Sequence, residues 1–175
     1  LRAFYFFQLI RLFGPVPLIS EPLSAEEVTT VPRSNPEAVY PLIIEDLTFA
    51  GENLPTSYDA SNLGRATSYA AKALLGLVYL TRSGPSYGIL GAGLNSNEYD
   101  KALALFNEVI ASGEFSLLDT YADIFNYDNE NNKEVIFDVQ FMSSTNGASF
   151  PSHLVPVAFW TDQKLSNAYG NGYGA

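Results

Sequence analysis

Cysteine is absent from this chain of 175 residues, and histidine, tryptophan and methionine occur once each. Without a thiol there is no disulfide, no thiolate zinc site and no cysteine nucleophile. Cations are scarce as well: nine Lys and Arg against nineteen Asp and Glu leave a net charge of −10. Nucleic-acid binding needs clustered cations over the phosphates, and here they are few and dispersed, which argues against such a partner. No apolar run reaches the ~18 residues a membrane-spanning helix requires. The chain opens with Leu1-Arg2 already inside a helical pattern and closes on Gly172-Tyr173-Gly174-Ala175, so it reads as part of a longer protein.

Apolar and aromatic side chains are abundant. Hydrophobic residues make up 47% of the chain and charged ones 16%, the balance of a folded domain. Residues Arg2 to Phe13 read as a helix, ended by Gly14-Pro15-Val16-Pro17 because glycine suits the position after a helix and proline cannot continue one. Residues 18–33 read as a loop. Ser34-Asn35-Pro36-Glu37 is a helix start, and Val39, Ile43, Leu47, Ala50 and Leu54 follow at helical spacing. Pro41 interrupts that stripe. An interior proline costs roughly 3 kcal/mol, which predicts a kink or a start delayed to Pro41.

A third helix is expected over about Thr67–Thr81 and a fourth over about Glu98–Ser112, capped by Gly113. The third is apolar nearly all round, through Ala70, Ala73, Leu74, Leu77, Val78 and Leu80, so it should pack against neighbours on two sides. Leu75-Gly76-x-x-Tyr79 in one and Tyr99-x-x-Ala102-x-x-x-Phe106 in the other match the facing helices of a tetratricopeptide repeat. A small residue lets the helices approach, and a ring fills the wedge between them. In an ordinary repeat the positions matched by Tyr79 and Ala102 lie about nine residues apart. Here they are 23 apart (102 − 79), so the glycine-rich stretch from Arg82 to Asn97 is an insertion that packing does not require. Its Tyr87, Ile89 and Leu90 either meet a partner or fold back on the third helix. Further on, a short helical turn is expected within Asp119–Asn126, a turn at Asp128–Asn132, and a strand from Val135 to Phe141.

Taken in order, several of these segments resemble one family. Arg2-Ala3, Tyr5 and Leu9 lead into Phe13-Gly14-x-Val16-Pro17-Leu18. Val39-Tyr40, Ile43, Glu45-Asp46-Leu47, Ala50 and Leu54-Pro55 follow. Then come Gly64-Arg65-Ala66-Thr67, Ala70-Ala71-x-Ala73-Leu74-Leu75 and Val78-Tyr79-Leu80. Tyr99, Lys101-Ala102, Val109-Ile110, Ser112-Gly113 and Glu134-Val135-Ile136-Phe137 complete the series. From residue 2 to about 141 the chain resembles the SusD/RagB surface lipoproteins of Bacteroidota. The resemblance implies a mainly α fold of tetratricopeptide-like hairpins with long loop insertions and a short β element near 134–141. It divides the chain into a helical repeat region, 1–141, and a loop-rich segment of the same domain, 142–175, that continues further. It implies a non-catalytic binder of glycan or another nutrient, with no cofactor, lipid-anchored at the outer-membrane surface through a cysteine outside these residues. The implied partner is a SusC-type TonB-dependent transporter, to which the ligand is delivered.

Sugar rings present apolar C–H faces, so a glycan binder needs exposed aromatic platforms flanked by amides and carboxylates. The segment from Phe150 to Tyr173 has that composition and holds the single Trp and the single His. Trp160, Tyr169, Tyr173, His153 and Asn171 are the expected ligand contacts, against the plainer reading that Phe159 and Trp160 pack on the scaffold. His153 has no second His or Cys to share a metal and is otherwise a hydrogen-bonded structural residue. Asp128-x-Glu130-x-Asn132 begins like a calcium loop but has no glycine at the sixth position and Val139 at the twelfth, which favours a solvated turn; Glu130 and Glu134 remain for an irregular site. Arg65 is expected to tie loop carbonyls or a carboxylate such as Asp59 or Asp46. Two other functions fit parts of the pattern: a tetratricopeptide-type peptide-binding scaffold, and a carboxylate-dependent glycoside hydrolase. The first normally has three or more uniform repeats, and the second needs two acids held ~5–9.5 Å apart, a pair that nothing marks out among the nineteen.

Overall fold

The computed structural model describes residues 1–86, 90–126 and 129–140. The chain divides into two compact units, Leu1–Phe137 and Asp138–Ala175, and every helix described below belongs to the first. Among the described residues five α-helices are formed: α1 (Arg2–Phe13), α2 (Ala25–Val28), α3 (Pro36–Asn53), α4 (Ser68–Ser83) and α5 (Tyr99–Ala111). The long ones are neighbours in the order α1, α3, α4, α5. The mainly α expectation therefore holds.

The core is the sum of the buried stripes. Helix α1 contributes Ala3, Phe6, Phe7 and Ile10, and α3 contributes Val39, Tyr40, Ile43 and Leu47. Helix α4 adds Ala71, Leu75 and Val78 from between α3 and α5, so it does pack on two sides. Helix α1 ends as expected: Gly14 takes a φ of 64°, and its N–H donates to Ile10 O at 3.1 Å. Helix α3 begins at Pro36 and continues unbroken past Pro41, so its start is not delayed. Two facts explain this. The amide that proline lacks would have met the Glu37 carbonyl, and both residues face solvent, so water can take its place. Burial of Val39, Tyr40, Ile43 and Leu47, at about 1.5–3 kcal/mol each, also outweighs the ~3 kcal/mol proline cost.

Residues 18–33 are not wholly irregular. Val16–Pro17 (β1) pairs antiparallel with Arg33–Ser34 (β2), in the register Val16↔Ser34 and Pro17↔Arg33. Between the strands lies α2, held by a capping box. Glu27 N donates to Ser24 Oγ at 3.3 Å, and Ser24 N to Glu27 Oε2 at 2.9 Å. Arg2 closes the entrance. Its guanidinium donates twice to Asp46 (2.8 and 2.6 Å) and once to Ser20 O (3.2 Å), binding α1, α3 and the loop start together.

The β element falls elsewhere than expected. Residues 135–140 form no ladder, and Phe141 lies outside the described residues. The apolar run has a different cause: Phe137 packs edge-on against Phe4 of α1, with centroids 6.1 Å apart. A strand needs a neighbour to take its hydrogen bonds, and among the described residues none runs beside it. The expected turn within 119–126 is a 3-10 turn over Tyr121–Phe125.

Candidate functional site

The repeat contact is as the motif requires. A Cβ at Gly76 would stand 2.6 Å from Phe106 Cε1, so only glycine admits the ring. Tyr79 carries the Lys101 ammonium 5.1 Å above its face, and Lys72 pairs with Glu108 at 2.8 Å across α4 and α5. The pair is thereby fixed at the base of the insertion.

Described residues of the insertion fold back onto the frame. Tyr40, buried in α3, donates its hydroxyl to Ala92 O at 2.6 Å. Leu94 N and Ser96 N donate to Arg82 O (2.8 and 3.2 Å), and Asn95 N to Gly84 O (2.9 Å). Leu94 packs on the core, and a Cβ on Gly14 would collide with the Leu90 carbonyl oxygen. Ser83 is the junction: its Oγ accepts from Glu98 N at 2.7 Å and lies 3.3 Å from Ser96 Oγ, while its carbonyl accepts from Tyr99 Oη at 2.9 Å. Tyr87 and Ile89 lie outside the described residues.

Charges complete this root. Glu98 lies between Arg82 (Nε–Oε2 3.0 Å) and Lys101 (Nζ–Oε1 2.8 Å). The Arg82 contact is an ion pair without the alignment of a hydrogen bond. Burial acts to raise the Glu98 carboxyl, but the bonds from Lys101 and Ser96 and the Arg82 charge outweigh it, and its pKa falls below the ordinary value. Arg82 also lies over the Tyr40 ring, 5.3 Å from the centroid. Burial pushes the Tyr40 phenol up to about 12, against the pull of Arg82, so it stays a hydrogen-bond donor at any physiological pH. Nothing in the sequence joins Tyr40, Arg82 and Glu98 into one cluster. Glu98 at the start of an amphipathic helix looks like an ordinary first-turn acid.

Other candidates are placed differently. Arg65 pairs with neither expected carboxylate: Asp46 is taken by Arg2, and Asp59 accepts from Ser61 N (3.0 Å) and Asn62 Nδ2 (2.9 Å). Glu134 accepts Leu118 N at 2.9 Å, while Ser116 N donates to Lys133 O at 3.0 Å, so the 129–135 segment docks on 116–118. Asp128 lies outside the described residues, and so do all five expected ligand contacts, Trp160, Tyr169, Tyr173, His153 and Asn171. Among the described residues, no group of three or more His, Cys, Asp or Glu is arranged to hold a metal. An exposed aromatic pair that the sequence reading took only for a helical turn is present at Tyr121 and Phe125. The rings meet edge-on at 5.4 Å, 77% and 67% exposed, with Asp123 and Asn129 nearby. Such a pair offers a surface on which a sugar C–H face can stack.

The fold and site together define a helical-repeat scaffold bearing long, individually anchored loops. Residues 1–80 match the SusD-like family described as starch-binding and associating with the outer membrane. A SusD-like protein of Bacteroides ovatus is 32% identical over 162 residues, which cover 93% of this chain and 29% of that protein. A laminarin-binding SusD-like protein of known structure is 34% identical with a TM-score of 0.70, over 81% of this chain and 29% of that one. A structure solved with a xylogluco-oligosaccharide is also 34% identical with a TM-score of 0.68, over 81% of this chain and 28% of that one. This chain belongs to the SusD/RagB family. It spans about 29% of the length of the curated relatives it matches first.

Proposed function

We propose that the whole protein binds glycan without cleaving it, and presents oligosaccharide to a SusC-type TonB-dependent transporter from a lipid anchor on the outer-membrane surface. One observation carries the reading: the α1–α3–α4–α5 frame is shared, at 34% identity, with a relative named for binding laminarin. The chemistry is stacking and hydrogen bonding. Tyr121 and Phe125, with Trp160, Tyr169, Tyr173, His153 and Asn171, are the proposed ligand contacts on this chain, and no cofactor takes part. The net charge of −10 suits a neutral ligand better than a polyanionic one.

The test is affinity electrophoresis of the intact protein through gels containing different polysaccharides. At least one neutral glycan is expected to retard it, with no shorter products on prolonged incubation. Trp160→Ala, Tyr169→Ala or Tyr173→Ala should release it, because each stacked ring is worth about 0.5–1.5 kcal/mol, up to roughly a tenfold change in affinity. Release of shorter oligosaccharides would support the hydrolase instead. Capture of an unstructured peptide with no glycan retention would support the peptide scaffold. Co-purification of the transporter with the tagged, membrane-extracted protein tests the delivery step.

A further inference from the structure

Among the described residues, the backbone turns left-handed at Gly14, Gly64 and Gly113, and also at Asn95, Asn97 and Asn131. Glycine adopts that conformation without crowding from a Cβ, so an asparagine in its place points to work for the amide. The Asn95 amide does such work, donating to Ser86 Oγ at 3.3 Å, and Asn131 is not free either. Asn97 differs. Its φ is 55°, its side chain is exposed, and its amide has no partner among the described residues. The insertion uses glycine freely elsewhere, at Gly84, Gly91 and Gly93. Left-handed asparagines with nothing to hold are the outliers from which a functional role is argued.

A fixed ring stands beside this amide. Glu98 turns inward to Arg82 and Lys101 and is 17% exposed, which leaves its neighbours Asn97 and Tyr99 outside. Tyr99 is 48% exposed, but its hydroxyl is engaged by Ser83 O at 2.9 Å. The ring therefore offers an apolar face in a set orientation. The backbone under both residues is anchored on α4, since Glu98 N donates to Ser83 Oγ (2.7 Å) and Ser96 N to Arg82 O (3.2 Å). Groups already held in place lose little freedom when a ligand arrives. A carboxamide supplies two donors and an acceptor for hydroxyls, and an aromatic face takes C–H groups. One saccharide unit presents both.

We infer that Asn97 and Tyr99 form a sugar subsite at the root of the insertion, the amide bonding hydroxyls and the ring stacking on a C–H face. Its ligand class is an uncharged hexose unit of a glycan chain, so the inference rests on the glycan reading above.

The test is affinity electrophoresis of the intact protein through gels of laminarin, xyloglucan, amylopectin and galactomannan, beside urea unfolding. Asn97→Gly keeps the left-handed backbone and removes only the amide. On the polysaccharide that retards the wild type, its affinity should fall about two- to tenfold, the worth of one hydrogen bond. Its urea midpoint should stay level or rise. Tyr99→Leu should also weaken retention, because it keeps an apolar side chain but loses the flat face. Retention unchanged in both variants overturns the inference and leaves the glycan reading standing. A fall in retention matched by a lower urea midpoint for Asn97→Gly assigns the residue to the frame and overturns it as well. A wild type retarded by none of the four gels removes the glycan reading itself, and this subsite with it.

Discussion

Two excursions leave the helical frame, and they are held in opposite ways. The described residues of 84–98 are tied to two helices: Tyr40 reaches them from α3, and Arg82 and Ser83 from α4. Residues 18–32 are tied at their entrance, by the two-residue ladder and Arg2, and beyond it they bond locally. From Ser24 to Thr30 each hydrogen bond shown spans three or four residues, and every side chain from Ser20 to Thr30 is exposed. The first loop takes its shape from the core; the second keeps its own. A change in one should be felt throughout the domain, and a change in the other should stay where it is made.

Tyr40→Ala is the sharpest way to break the contrast. It removes a buried ring and the donor to Ala92 O together, with an expected loss of about 3–5 kcal/mol in urea unfolding. Amide exchange should rise across 90–96 at the same time. A loss below that seen for a surface residue would mean that the insertion is not rooted in α3. Gly93→Ala comes next. Its Cβ would collide with the Pro85 carbonyl oxygen and stand 2.9 Å from Gly84 O, both backbone, so about 1–3 kcal/mol of overpacking is expected.

Glu98→Gln has a smaller effect, about 1 kcal/mol, and depends on pH. Because the folded carboxyl titrates below its unfolded value of roughly 4.3, its contribution is complete above that pH and disappears as pH falls through the folded pKa. The gap between wild type and variant should therefore be full at neutral pH and close in acid. A gap that widened in acid would show the sign to be wrong. Ser24→Ala is the smallest. It dissolves the capping box and returns the Glu27 carboxyl, now held low by Ser24, toward its ordinary pKa in an NMR titration. The urea midpoint should not move, and if it did the self-contained picture of residues 18–32 would fail.

The same contrast separates what could be read from the sequence from what could not. Helices α1, α3, α4 and α5 announced themselves because burial on one side imposes a spacing of three and four. Gly76 and Phe106 were legible because a close crossing needs a small residue opposite a large one. The β1–β2 ladder is two residues per strand, too short for any alternation to register. Ser24-x-x-Glu27 is a readable helix-start signature inside a stretch that otherwise reads as loop. Val135–Phe137 misled because a ring packing on Phe4 leaves the same apolar run as a strand. The root of the insertion was illegible for a deeper reason. Tyr40 and Ala92 are 52 positions apart, and nothing local to either residue signals the other.

The slot at Gly76 has a bearing on descent as well as on packing. Because a Cβ at position 76 would come within 2.6 Å of the Phe106 ring, a lineage that enlarges position 76 must shrink position 106 or push two helices apart. The two sites are thus bound to drift as a couple, and together they act as a gauge that sets the width of the hairpin from which the core-anchored insertion springs.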